Sequence, residues 1–148
     1  MKNKTFWIGF VAVWVVMQVI GYVIHGVMMA ETYESLAAIF RPKEQMDSMM
    51  WIMMLSGTAV IFLFCYIFTK GCEGKGVIEG VRYGALMGLF LGFPTSVDAY
   101  VIYPLTQELA VIWFVSSVVG MMIGGAVFAA IYKPSVTDEP IGSPGLAA

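Results

Sequence analysis

Charge is scarce in this sequence. Only 12% of its 148 residues are Asp, Glu, Lys or Arg, about half the share that water-soluble domains carry. The formal net charge is −2, and the charges do not cluster, so neither a nucleic-acid partner nor a strongly anionic one is expected. Hydrophobic residues make up 59% of the chain and the mean hydropathy is +0.83. These values place the chain in the membrane class.

Residue types that carry chemistry are scarce as well. His25 is the single histidine, and no HxxxH or CxxC pair occurs, so a zinc site with at least three protein ligands is not expected. Cys65 and Cys72 are separated by about 10 Å of helical rise, too far for a disulfide. The sequence has no nucleophile elbow, phosphate loop, dinucleotide-binding turn or pair of catalytic carboxylates. We therefore expect no enzymatic activity and no resident cofactor.

Long apolar runs are what the sequence does contain. A helix needs roughly 20 apolar residues to cross a bilayer, and backbone groups in lipid must be hydrogen-bonded within the segment. The sequence predicts an all-α integral membrane protein with four transmembrane helices, at about 6–30, 49–68, 81–103 and 109–132. They form one domain, residues 1–133. The first run is longer than the apolar part of a signal peptide and has no small-residue cleavage site, so we expect it to be retained.

The segments outside the spans are short. Tyr33, Leu36, Ala37 and Phe40 recur at helical spacing, which predicts a short interfacial helix on the outer surface between spans 1 and 2. Residues 134–148 contain scattered prolines and no apolar periodicity, so they are predicted to form a flexible cytoplasmic tail.

The distribution of basic residues predicts the orientation. Cytoplasmic segments carry an excess of Lys and Arg. Six of the eight basic residues lie at the termini or after the second span, and two lie after the first. Both termini are therefore predicted to be cytoplasmic. The six are Lys2, Lys4, Lys70, Lys75, Arg82 and Lys133, and the other two are Arg41 and Lys43.

Glycine recurs at every fourth position through the third span. This spacing follows one ridge of a helix and lets another backbone approach closely. The ridge can pack within the chain against the fourth span, or it can contact a second copy or another membrane subunit; the motif is compatible with both. The helix-packing residues are Gly76, Gly80, Gly84, Gly88 and Gly92 on the third span and Gly120 and Gly124 on the fourth, with Ser117, Gly125 and Ala129 on the ridge beside them.

A few polar residues are predicted to form a cluster at the outer ends of the spans. Gln18 and His25 share one face of the first span, and that face should look into the bundle. The predicted outer polar cluster consists of Gln18, His25, Asp98, Tyr100 and Tyr103.

Asp98 has two interpretations. Pro94 removes a backbone donor, and Thr95 to Asp98 matches the Ser/Thr-x-x-Asp/Glu capping pattern. We therefore expect the helix to break at Pro94 and restart at Thr95, with Asp98 capping it and bonding to His25. Alternatively, an ionisable residue within a span is functional by default.

The twelve methionines also have two interpretations. Methionine fills irregular apolar space, and its thioether is also a ligand for Cu(I). Packing is the first interpretation. The alternative metal set is His25, Met28, Met50 and Met54.

Four segments together resemble a group of small bacterial four-span membrane proteins of about this length. They are HGVMMAETY (25–33), EGVRYGALMGLFLGFP (79–94), AYVIYPL (99–105) and IYKP (131–134). The resemblance covers nearly the whole chain outside the tail. It implies a location in the bacterial cytoplasmic (inner) membrane, and it implies no reaction, because the group has no established activity.

The leading functional hypothesis is a non-enzymatic accessory or structural subunit. It would act through glycine-mediated helix packing with itself or with a larger membrane complex in the lipid bilayer. The alternative is a small transporter or channel for a metal ion such as Cu(I), a proton or another small solute. Transport of a charged solute needs polar groups at several depths of the membrane, and the sequence places few in the inner half.

Overall fold

The computed structural model describes residues 4–133, and within that range the chain forms helices and no strand. Four helical rods of 25 to 29 residues are long and apolar enough to cross a membrane. The predicted tail, 134–148, lies outside the described residues. The elements are α1 (Lys4–Gly21) with a π-helical continuation π1 (Tyr22–Met28), α2 (Ala30–Ser35), α3 (Lys43–Gly71), α4 (Val77–Gly92) with a π-helical continuation π2 (Phe93–Asp98) and then α5 (Ala99–Ile102), and α6 (Gln107–Ile131).

The predicted spans differ from the four rods mainly at their ends. The largest difference is at α3, which begins at Lys43 and not near residue 49. Its first turn holds Glu44, and an acidic side chain is favoured there by the helix dipole, so the helix extends beyond its apolar part. The short helix after the first rod lies at Ala30–Ser35, so it ends before Phe40, where the spacing pattern had extended it. Below, "terminal end" means the end of the bundle with Lys4, and "distal end" the opposite one.

The closest helix pair is α4 with α6, and three glycines of α4 make this contact. A Cβ added at Gly80 would lie 2.1 Å from the carbonyl oxygen of Gly125, and one added at Gly84 would lie 2.1 Å from that of Met121. A Cβ at Gly88 would lie 2.6 Å from a Cα atom on α6. Backbone therefore lies directly on backbone, which only residues without a side chain permit.

The glycine pattern needs two corrections. Gly76 precedes α4 with φ of +73°, and a Cβ there would meet nothing within 4 Å, so it belongs to the loop and not to the packing ridge. Gly120 and Gly124 face α1, where their nearest neighbours are Met17 and Val13 at 3.6 and 3.4 Å. The ridge of α6 that meets α4 lies beside them and carries Ser117, Met121 and Gly125.

The terminal half of the bundle holds a core of interlocking aromatic rings. Phe64 and Phe128 are at most 2% exposed, and the Phe128 ring packs edge-on against Phe6 and Phe68. The Tyr83 hydroxyl donates to the Phe64 carbonyl oxygen at 2.7 Å, which links α4 to α3.

The distal half of α3 stands apart from the other helices. Its last polar link is the hydrogen bond from Trp14 Nε1 to Thr58 Oγ1, 2.9 Å. From residue 41 to residue 56 every residue is exposed. The helix is thus held to the bundle along its terminal half only.

Glu79 organises the loop between α3 and α4. Its two carboxylate oxygens accept hydrogen bonds from the backbone N–H groups of Glu73 (2.5 Å) and Lys75 (2.7 Å). Gly74 adopts a φ of +78°, the left-handed conformation that glycine tolerates. The Lys75 ammonium forms an ion pair with the Glu73 carboxylate.

Candidate functional site: a polar cleft at the distal end

A chain of hydrogen bonds joins three elements at the distal end. Trp113 Nε1 donates to the Tyr33 hydroxyl oxygen at 3.0 Å, and that oxygen lies 2.6 Å from His25 Nδ1. Because an indole N–H only donates, the Tyr33 oxygen accepts from Trp113, and its own O–H donates to His25 Nδ1. The imidazole proton is then on Nε2. The chain ties α6 to α2 and π1.

Tyr33 is suited to remain a donor in this chain. Burial raises the pKa of its hydroxyl above the ordinary value of 10.0, while the hydrogen bond from Trp113 acts in the opposite direction. The hydroxyl is therefore protonated at neutral pH. The centroids of the Tyr33 and His25 rings lie 6.1 Å apart, with 20° between the ring planes, so the two rings lie nearly end to end along this hydrogen bond.

Beside this chain lies a cleft of about 370 Å³ between α1, π1, π2 and α6. This volume is at the lower end of the range for small-molecule sites. Met17 and Met121 lie at its terminal side. Its polar lining comprises His25, Thr95, Ser96, Trp113, Ser116 and Ser117.

Ser96 is the unusual residue of the cleft. Its side chain is 1% exposed, and its Oγ has no hydrogen-bond partner within residues 4–133. A buried hydroxyl without a partner costs about 1–3 kcal/mol. Thr95 and Ser117 differ in this respect, because they donate to the carbonyl oxygens of Leu91 (2.8 Å) and Gly88 (3.3 Å).

Both sides of the cleft carry a π-helical turn, a feature often found at functional sites. On one side is π1, with His25, and on the other is π2, with Ser96. The turn π2 has a local cause. Pro94 lacks the backbone N–H that would continue the α-helical pattern, and the Thr95 hydroxyl donates to the Leu91 carbonyl oxygen. The expected break and restart is therefore wrong: Gly92 and Ala99, which flank π2, both have right-handed helical backbone angles.

The predicted outer polar cluster does not assemble as expected. Asp98 is exposed and forms no side-chain cap. Within residues 4–133 the side-chain partner of His25 is Tyr33 and not Asp98, so the predicted His25–Asp98 hydrogen bond is wrong. Tyr100 is 44% exposed. Gln18 is half-buried and outside the cleft lining.

Tyr103 lies in a different groove. This groove, of about 480 Å³, separates the distal half of α3 from α5 and α6. Trp113 lines both the groove and the cleft. The α3 residues lining the groove are Met46, Met49, Ile52 and Met53.

The alternative metal set is not brought together in either cavity. His25 lines the cleft, whereas Met28, Met50 and Met54 line neither cavity and are 67%, 45% and 41% exposed. In the described part of the chain, no three His, Cys, Asp or Glu side chains are placed to hold a metal ion.

Sequence reasoning missed Ser96 and Trp113 as site residues and assigned Tyr33 only to the interfacial helix. A serine and a tryptophan inside apolar runs carry no distinctive spacing. The one available signal was Pro94, which marks the irregular turn that carries Ser96.

Comparisons of this chain with protein-family models, with curated proteins and with solved structures give no match. The class of the protein therefore rests on the fold: an all-helical chain with four helices long and apolar enough to span a membrane.

Proposed function

We propose that this protein is a non-enzymatic, multi-pass subunit of the bacterial cytoplasmic membrane that docks onto another membrane protein or onto itself. Both termini would be cytoplasmic, because six of its eight basic residues lie near the two termini or around the loop between α3 and α4, and cytoplasmic segments carry an excess of Lys and Arg. The proposed contact surface is the distal half of α3, residues 43–56.

The observation that carries this proposal is the exposure of that half-helix on every side. Trp51 and Leu55, which share one face of the helix, are both 64% exposed. The side that lines the groove is exposed too, with Met49 at 38%, Ile52 at 42% and Met53 at 67%. Methionine and tryptophan are typical of adaptable contact surfaces.

The glycine ridge, in contrast, is a poor candidate for a partner contact. Gly80, Gly84 and Gly88 are covered by α6 of the same chain, so glycine-mediated packing supports the fold of the subunit. A partner would meet side chains of α3 instead.

The experiment is native mass spectrometry of the full-length protein gently extracted from its own membranes, with metal analysis of the same sample. We expect a larger assembly without stoichiometric metal. Trp51→Ala should remove the assembly and leave the thermal unfolding of the purified chain unchanged, because Trp51 contacts lipid or partner and not the bundle.

The matched control is Leu63→Ala on the same helix. Leu63 is 53% exposed but lies in the terminal half of α3, so its truncation should leave the assembly intact. A monomeric wild-type protein, or equal loss with both variants, would refute the proposed contact surface.

The polar cleft favours a second candidate, a carrier of a small uncharged polar solute. Ser96 and His25 offer hydrogen bonds there, but Val13, Phe64 and Phe128, at most 2% exposed, close the bundle on the terminal side. Solute flux in proteoliposomes that falls at least tenfold with Ser96→Ala would favour transport over the subunit function. If the cleft is only a packing defect, Ser96→Ala should stabilise the protein by about 1 kcal/mol.

A further inference from the structure

A second cleft, of about 730 Å³, opens at the terminal end between α3 and α4. Its floor is formed by Phe68 and Tyr83, whose rings lie 5.3 Å apart between centroids. Above this floor the two helices leave an open channel whose mouth carries Lys70, Lys75 and Arg82.

We propose that this cleft binds one anionic phospholipid, with its phosphate between Lys70 and Arg82 and one acyl chain between α3 and α4. Basic pockets between membrane-spanning helices on the cytoplasmic side bind such headgroups. The inference rests on the membrane location proposed above and is independent of any protein partner.

Charge at the mouth favours an anion. Two carboxylates also line the cleft, but Glu79 is engaged with backbone N–H groups and Glu73 with Lys75. Within residues 4–133, neither Lys70 nor Arg82 forms an ion pair; the charge of Arg82 acts on Glu73 only from a longer distance. The Lys70 ammonium lies 5.1 Å from the centroid of the Tyr66 ring, a contact that leaves its donors available.

The order of polar and apolar residues on the two helices matches a lipid. On α4, Leu86 lies one helical turn, about 6 Å, deeper than Arg82, and it is 67% exposed. On α3, Ile67 lies about 4.5 Å deeper than Lys70, and it is 46% exposed. Each wall therefore presents a cation at headgroup level and an uncovered aliphatic side chain below it, a pattern that fits a phosphate with an attached chain better than a free ion.

The test is native mass spectrometry of delipidated full-length protein titrated with dioleoyl-phosphatidylglycerol or dioleoyl-phosphatidylcholine. We expect at least a fivefold lower Kd for the anionic lipid. Each basic residue near such a surface contributes about fivefold in affinity, so Lys70→Gln and Arg82→Gln should each raise that Kd about fivefold. Lys43→Gln, an exposed charge-matched control at the distal end, should not change it.

Four outcomes would overturn the proposal. The first is an equal Kd for the two lipids, and the second is an equal rise of the Kd with Lys43→Gln and with Arg82→Gln. The third is displacement of the lipid by equimolar inorganic phosphate. The fourth is selectivity for the anionic lipid that appears only after Asp138→Asn and Glu139→Gln, which would mean that the tail occupies the cleft. Unchanged thermal unfolding of each variant in detergent alone would show that folding is intact. A chain that stays folded and soluble without detergent would instead refute the membrane location itself.

Discussion

Replacing Gly84 by alanine should separate the two most closely packed helices. The added Cβ would lie 2.1 Å from the Met121 carbonyl oxygen, whereas ordinary contacts begin at 3.4 Å, so α4 and α6 must part locally by about 1.3 Å. A gap of even 0.5–1 Å loses a quarter to a half of each dispersion contact, and overpacking typically costs about 1–3 kcal/mol. Because the obstacle is backbone and cannot rotate away, we expect a loss of about 3 kcal/mol.

The matched control is Gly57→Ala in α3, where a Cβ would meet nothing within 4 Å. There alanine should stabilise the helix by up to about 1 kcal/mol. The two single-methyl changes should therefore differ by about 3–4 kcal/mol in the free energy of unfolding, measured by titration with sodium dodecyl sulfate in mixed micelles.

A graded series strengthens the test. Gly88→Ala should cost less than Gly84→Ala, because its Cβ would lie 2.6 Å from a Cα atom and not 2.1 Å from an oxygen. Gly92→Ala should cost least of the three, because its nearest neighbour, at 3.2 Å, is the Phe114 ring, which can turn. If Gly84→Ala were as stable as Gly57→Ala, the backbone contact between α4 and α6 would be refuted.

Three further predictions concern single side chains. Trp14→Phe removes the donor to Thr58 and should cost about 0.6–1.7 kcal/mol in unfolding free energy, whereas Trp7→Phe, at a 48% exposed position, should be neutral; equal effects would exclude the hydrogen bond as the cause. Asp98→Asn should change stability by less than about 0.5 kcal/mol, as is usual for surface positions, and a larger loss in the same titration would mean that the carboxylate has a partner. Burial raises the pKa of the Cys72 thiol above its ordinary value of 9.0, so its thiolate fraction at pH 8 is lower than that of a free thiol. Alkylation by iodoacetamide, measured in a variant without the other cysteine, should be correspondingly slow and should accelerate with pH beyond 9; a rate equal to that of free cysteine would contradict this.

The number and approximate place of the long helices could be predicted from the sequence. Hydropathy and length suffice for this, since an apolar run that cannot leave backbone groups unsatisfied in lipid must be helical. The glycine spacing on α4 likewise predicted a close helix contact, because Gly80, Gly84 and Gly88 necessarily share one ridge.

The site could be predicted only in part. His25 was singled out, but its partner is Tyr33 and not Asp98, because the helical turn at Pro94 widens without breaking and Asp98 stays on the exposed side. The contact between Tyr33 and Trp113 joins residues 80 positions apart, and no spacing within a helix can indicate such a pair.

The sequence by itself determined that the chain folds into four apolar helices and that one of them carries a glycine ridge. Tertiary structure decided which ridge of α6 meets α4, and that the distal half of α3 stands free. The physical reason is rotation about the helix axis. A helix that is apolar on all sides has no face marked for burial, so its orientation depends on contacts with its neighbours, which the linear pattern does not contain.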